Sequence, residues 1–268
     1  MLNISAFIIT KNEATRIARA INSVKDIVEE VIVVDSGSTD DTAQIARNLG
    51  VKVISNGWNG YVKQKTFGKN LCQNDWILNI DADEELSKEL QDEIEFIFAS
   101  NNQDNYLAYR TKIVTLHRND DKIRCFAPYN KCIRLYNRKY SSFSDNNITT
   151  HDSVLFNLNI SLQNKIYDLN GIIYRRLGTS IEQLVAKANC YSSEQAENLV
   201  KLGRSPSKTR IVTETMFYFF KSFFIRRYWV FGLDGFVDSM IFAFARFIRL
   251  AKARELLNNK KDDNNIEA

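Results

Sequence analysis

Asp81-Ala82-Asp83, followed at once by Glu84 and Glu85, sets two carboxylates one residue apart after the apolar run WILNI. Like charges this close raise each other's pKa unless something positive sits between them. Mg2+ or Mn2+ meets that need, because both take carboxylate and phosphate oxygens and often retain waters. A diphosphate bridged to the protein by such a metal is the natural ligand, and the ion would stabilise charge on a departing nucleoside diphosphate. Taken singly, each acid reads equally well as a helix cap or a solvated loop residue. A second group, Thr149-Thr150-His151-Asp152-Ser153, offers a carboxylate that could take a proton from a hydroxyl. Alone, His151 reads as a packing or capping histidine and Asp152 as a turn residue. Arg134, in the strand-like KCIRLY, would either face a phosphate or pair with a nearby acid. His117 has no evident partner and is expected at the surface.

These groups need a scaffold. ISAFIIT (4–10), VIVV (31–34), VKVI (51–54) and WILNI (76–80) read as buried strands. Helical spacing is expected over 13–24, over a segment capped by Ser38 with Asp41 and closed by Gly50, over 62–71, and from Ser87 onward. Strands alternating with helices predict an α/β fold with a mostly parallel sheet. Ligands bind beyond the carboxyl ends of such strands. Thr10 to Glu13, Asp35 to Ser38, and Asp81 to Glu84 all follow strand ends, so residues far apart in sequence should converge on one edge. Neither GxxxxGK[ST] nor GxGxxG is present, which excludes the P-loop and the dinucleotide fingerprint.

With 268 residues, 44% hydrophobic and 25% charged, the chain can bury a core without staples. Cys72, Cys125, Cys132 and Cys190 form no CxxC pair and have no histidine close by, so free thiols in a reducing compartment are expected. The first residues lack the features of a signal peptide, and no stretch reaches the ~20 apolar residues of a membrane span. A cytoplasmic protein is the expectation.

The segments FIITKNEATRIARAINSV, EEVIVVDSGSTDDTAQIA, VKVISNGWNGYVKQKTFG, DWILNIDADEELS and IRLYNRKYSSFS…THD, in this order and spacing over residues 3–155, resemble glycosyltransferase family 2 with its GT-A fold. Within that family the chain looks like the bacterial lipopolysaccharide core β-1,4-glucosyltransferases. The resemblance implies an inverting, metal-dependent hexosyltransferase. It would move a sugar, glucose from UDP-glucose, onto a lipopolysaccharide inner-core heptose or similar lipid-linked glycan. It places Thr10 and Glu13 beside the nucleoside, Asp35 on the base or ribose, Lys65 near the donor, and Asp81 and Asp83 at the metal and diphosphate. Arg134 joins this donor-side set. Asp152, with His151 before it, would be the general base, at a position where the family usually has glutamate. Two departures stand out: Asn130 where the family has an acid, and Ile173-Tyr174-Arg175-Arg176 where it tends to have a histidine-tyrosine pair.

Residues 1–178 would form the catalytic domain, 179–258 a helical region and 259–268 a disordered tail. Ser180 is expected to cap a helix to Lys201, and Pro206 to start another. TMFYFFKSFFIRRYWVFG and MIFAFARFIRLAKARELL mix aromatic and basic residues, which suits the interfacial zone of an anionic bilayer. The alternative is helices packed on the domain or at a homodimer contact. The partners expected are a nucleotide sugar, a lipid-linked oligosaccharide acceptor and the inner face of the plasma membrane, with nucleic acid excluded because the aromatics run together as apolar stretches. The competing functions are another nucleotide sugar used by the same family, or an inactive carbohydrate-binding scaffold.

Overall fold

The computed structural model describes residues 1–118, 120, 122–143, 154–156, 165–177 and 180–266. The chain divides into two compact units, Met1–Thr115 with Tyr129–Arg176, and Leu116–Pro128 with Leu177–Ala268.

In the first unit, β1 (Leu2–Thr10), β2 (Val28–Asp35), β3 (Lys52–Ser55) and β4 (Trp76–Asp81) form a parallel block in the order β3-β2-β1-β4. Beyond β4 the order continues with β7 (Tyr129–Asn137), β6 (Ala108–Leu116), β10 (Ile166–Arg176) and β5 (Glu84–Leu86). Pairing turns antiparallel there: β4 with β7, β6 with β7, and β10 with β5. β8 (Ser141–Phe143) and β9 (Val154–Phe156) make a separate ribbon. The central strand β1 is covered on both faces, which is why its sequence is an almost unbroken apolar run. Ile4, Ala6 and Ile8 enter one core with Ile17, Ile21, Leu90 and Ile94, while Phe7 and Ile9 enter the other with Ile32, Val34 and Ile77. The alternation follows from the two-residue period of a strand.

The helices of this unit are α1 (Ile17–Asn22), α2 (Thr42–Asn48), α3 (Tyr61–Leu71) and α4 (Lys88–Ala99). Ser87 caps α4 by accepting the Leu90 N–H at 3.2 Å. Two starts differ from the sequence expectation. The chain from Lys11 to Arg16 is a turn with Asn12 at φ 55°, so α1 begins late. Ser38 does not cap α2. Its hydroxyl is taken by Asp35 and by the Asn12 N–H, and the helix begins at Thr42, whose N–H reaches Asp40 at 3.1 Å. The hydroxyl can serve the strand-end turn or the helix, and the turn holds it.

α4 lies so close to β10 at Gly171 that a Cβ there would stand 2.4 Å from Leu90 Cα. Gly171→Ala is therefore expected to force the helix off the sheet and to cost about 1–3 kcal/mol, the usual range for overpacking. Chemical denaturation would show it as a lowered midpoint at unchanged slope. An unaltered midpoint would mean that the helix can retreat freely.

In the second unit, α5 (Ile181–Lys201) is capped by Ser180, α6 (Lys208–Phe220) by Ser207, and α7 runs from Leu233 to Ile266. Pro206 is not the first helical residue but sits just before the cap, buried. A π turn (Lys221–Ile225) and a 3-10 turn (Tyr228–Phe231) join α6 to α7. His117, expected at the surface, is fully buried. Its Nε2 lies 3.4 Å from Asp238 Oδ2, and its ring lies against Phe231. Arg118 donates twice to Asp238 Oδ1, at 3.0 and 2.9 Å, so this short segment is fastened to α7. All four cysteines are unbridged.

Candidate functional site

Register builds the site. Thr10, the last residue of β1, pairs with Asp35, the last of β2, and Ile9 pairs with Asp81, the last of β4. Three strand ends thus present their polar residues at one sheet edge. Thr10 Oγ1 is buried there with no hydrogen-bond partner among the described residues. The Asp35 carboxylate accepts the N–H groups of Gly37 (3.2 Å) and Ser38 (3.0 Å) as well as the Ser38 hydroxyl. Glu13 sits in the turn after β1, its backbone N–H on Thr42 Oγ1 at 2.7 Å and its carboxylate holding Arg16.

The acidic turn is crowded with counter-charge. Lys65, fully buried on α3, brings Nζ to 2.9 Å from Asp81 Oδ1. Arg134, buried on β7, donates Nη2 to Asp81 Oδ2 at 2.9 Å and to Glu84 Oε1 at 2.7 Å. Arg175, on β10 in register with Glu84, donates to the same two carboxylates. Glu84 is itself enclosed, and its Oε2 accepts the Asp81 N–H at 3.1 Å. The Asp83 carboxylate accepts no hydrogen bond among the described residues, and Arg16 Nη1 and Arg175 Nε stand 4.0 Å from it.

Two carboxylates with one residue between them therefore have their pKa values moved in opposite directions. Burial pushes the Asp81 carboxyl up, but Lys65, Arg134 and Arg175 outweigh it and hold it well below the usual carboxylate range. Burial also pushes Asp83 up, to about 6, with Arg175 opposing and the charges of Asp81 and Glu84 adding. Asp83 is the carboxylate that gains most from another cation. Asp81, Asp83 and Glu84 each offer an oxygen within 4.8 Å of the others'. An all-oxygen set of this kind fits Mg2+ or Mn2+.

The structure brings together Lys65, Asp81, Asp83 and Arg134, and sets Thr10 and Asp35 at the same edge. For Arg134, the sequence left open a phosphate contact or an acid partner, and an acid partner is what the structure shows. His151 and Asp152 lie outside the described residues. Asn130 is exposed on β7, opposite Ile113. The sequence named Glu84 only as part of the acidic cluster, with no role of its own, did not single out Arg16, and marked Arg175 only as a departure. Glu84 and Leu86 share a strand face, as do Arg175 and Ile173, and Leu86 pairs with Ile173, so the two charged residues follow buried apolar ones inward through a pairing that the sequence alone does not carry.

Glu84, fully buried, bridges the buried Arg134 and the partly exposed Arg175. Glu84→Leu would leave Arg134 and Arg175 sharing Asp81 alone, and is expected to destabilise this unit by about 3–5 kcal/mol, the cost of breaking a buried pair. A thermal melt would register it. Wild-type stability in the variant would show that the arginines can reach solvent.

Residues 5–156 match the family described as Glycosyl transferase family 2. The chain is 68% identical over 263 residues to an uncharacterized glycosyltransferase of Rickettsia felis, covering 98% of this chain and 93% of that one. It is 27% identical over 258 residues to the lipopolysaccharide core biosynthesis glycosyltransferase LpsC of Rhizobium meliloti, covering 94% and 92% respectively. A solved structure of glucosyl-3-phosphoglycerate synthase from Mycobacterium tuberculosis, in complex with Mn2+, uridine diphosphate and glucosyl-3-phosphoglycerate, matches at 23% identity. That match covers 44% of this chain and 45% of that one, with a TM-score of 0.34.

Proposed function

From the fact that this chain belongs to glycosyl transferase family 2, we propose that it moves a sugar, with inversion, from a nucleotide sugar onto a lipid-linked glycan. UDP-glucose is the donor and a lipopolysaccharide inner-core heptose, or a similar acceptor, receives the sugar. The likeness to a lipopolysaccharide core biosynthesis glycosyltransferase supports that acceptor class. The observation that carries the reading is the convergence of Thr10, Asp35 and Asp81 on one sheet edge, with Asp83 beside them held only by Arg16 and Arg175 at 4.0 Å.

Asp83 and Asp81 would hold Mg2+ or Mn2+, which when bound supplies Lewis-acid stabilisation of the leaving nucleoside diphosphate. Lys65 and Arg134 keep Asp81 ionised and fixed. Thr10, Glu13 and Asp35 line the nucleoside side of the edge. Asp152, with His151 beside it, takes the acceptor proton as the acceptor oxygen forms its bond to the anomeric carbon. The bond from that carbon to the diphosphate oxygen breaks, and its electrons leave with the nucleotide. The protein works as a peripheral partner of the cytoplasmic membrane face, where a lipid-linked acceptor is found.

Calorimetry tests the reading directly. UDP-glucose should bind in the presence of Mn2+ and lose at least tenfold in affinity with chelator. Preference for UDP-N-acetylglucosamine, UDP-galactose, GDP-mannose or dTDP-rhamnose would keep the class and change the sugar. A folded protein that binds none of them with Mn2+ present would end the proposal.

A further inference from the structure

Surface helices of a soluble unit normally turn polar faces outward, and α6 and α7 do the opposite. On α6 and the π turn after it, Val212, Met216, Phe220 and Phe224 are exposed at a strict spacing of four. On α7, Leu233, Phe236, Met240, Phe244 and Phe247 are exposed at spacings of three and four. Each set is one stripe of its helix. The two stripes are linked by rings between them: Phe236 meets Phe219 at 5.4 Å and Phe223 at 6.1 Å, and these meet Phe220 at 5.6 Å and Phe224 at 5.1 Å. The buried side of α7 borders this stripe, carrying Ala243, Leu250 and Ala253. Contiguous apolar surface of this extent marks an interaction site.

We infer that this double stripe is a membrane-docking face that lies in the headgroup zone of an anionic bilayer. The inference deepens the peripheral location proposed above and rests on it. Neither helix is long and apolar enough to cross a membrane, so the face lies on the bilayer. Charge selects the lipid. Between residues 208 and 252 there are eight lysines and arginines against three acids, Glu214, Asp234 and Asp238. Glu214 is held by Arg210 and Arg249, and Asp238 is buried under Arg118. Arg226 and Arg227 are exposed in the turn between the stripes, next to the half-exposed Trp229. Lys221 and Arg246 hold their cations over the Tyr218 ring, 5.6 and 4.2 Å from its centre. Aromatic rings at headgroup depth with basic side chains reaching phosphates is the arrangement an anionic interface stabilises. A second copy on the same face would instead set this basic segment against its own duplicate, and like charges facing each other disfavour association.

The test is co-sedimentation of the full chain with vesicles of phosphatidylcholine containing phosphatidylglycerol, and with phosphatidylcholine alone. Wild type should bind the anionic vesicles and be released as salt rises. The doubly substituted F220E/F244E should bind at least tenfold more weakly while keeping its melting temperature and donor binding. R226Q/R227Q, which leaves the apolar face intact, should lose about thirtyfold, roughly fivefold for each charge near the surface. That pair decides the matter if the first variant does not fold. No sedimentation of wild type, equal binding to both vesicle types, or vesicle binding unchanged in R226Q/R227Q would overturn the inference. So would a dimer that F220E/F244E splits, with vesicle binding intact. Vesicle binding without any nucleotide-sugar binding would leave this face standing and remove the transferase reading instead.

Discussion

Asp83→Ala is expected to lower sugar transfer by about 10³-fold or more and to leave the protein at least as stable as wild type. The first half follows from what a bound divalent cation contributes at a leaving diphosphate, several kcal/mol of charge stabilisation, with each ~1.4 kcal/mol worth a factor of ten. The second half follows from the charges around Asp83. Burial and the neighbouring Asp81 and Glu84 all disfavour its ionised form, and Arg16 and Arg175 oppose them only from 4.0 Å. Removing such a carboxylate removes a cost. Asp81→Ala would be a poorer probe, because it takes a partner from fully buried Lys65 and from Arg134 and so confounds chemistry with stability. The measurement is a pair of melting curves with and without Mn2+, alongside turnover. Wild type should gain about 2.7 kcal/mol at a metal concentration a hundredfold above its Kd, and D83A should gain nothing. Full turnover in D83A, or an undiminished response to Mn2+, would remove Asp83 from the metal site.

The fold is of the GT-A type with a helical region following it, and its parallel block was the part most legible in the sequence. Strands covered on both faces must be apolar throughout, so ISAFIIT, VIVV and WILNI announce themselves, and the polar residue that stops each run marks the edge where ligands bind. The same logic placed Thr10, Asp35 and Asp81 together. Local patterns do not carry pairings between distant segments. Arg175 and Glu84 meet only because β5 runs antiparallel to β10, and a three-residue strand such as β5 has no periodicity to read. His117 looked solvated because its partner, Asp238, lies on α7 far along the chain. Ser38 looked like a helix cap because the capping pattern is local, while its competitor, the Asp35 turn, depends on how β1 and β2 end side by side.

Asp152→Asn is expected to slow transfer by about 10²–10⁴-fold, the range for loss of a positioned general base, with donor affinity unchanged. The reasoning is chemical. Inversion requires the acceptor hydroxyl to approach the anomeric carbon from the side opposite the departing diphosphate, so its proton cannot be taken by the groups that hold that diphosphate. Asp81 is excluded further by its three cationic neighbours, which hold its carboxyl well below the range useful for accepting a proton. A separate carboxylate is needed, and Asp152 of the THDS segment, with a histidine before it in sequence, is the one proposed. Asparagine keeps the shape of aspartate and loses only the ability to take a proton, so a structural role would be largely spared. A base role would show as a fall in kcat with KM for donor held, and as loss of the acid limb in the pH dependence of kcat/KM. Asp152→Glu restores the carboxylate one methylene further out and should recover part of the rate. A decrease below tenfold in D152N, or equal losses in D152N and D152E, would move the base elsewhere.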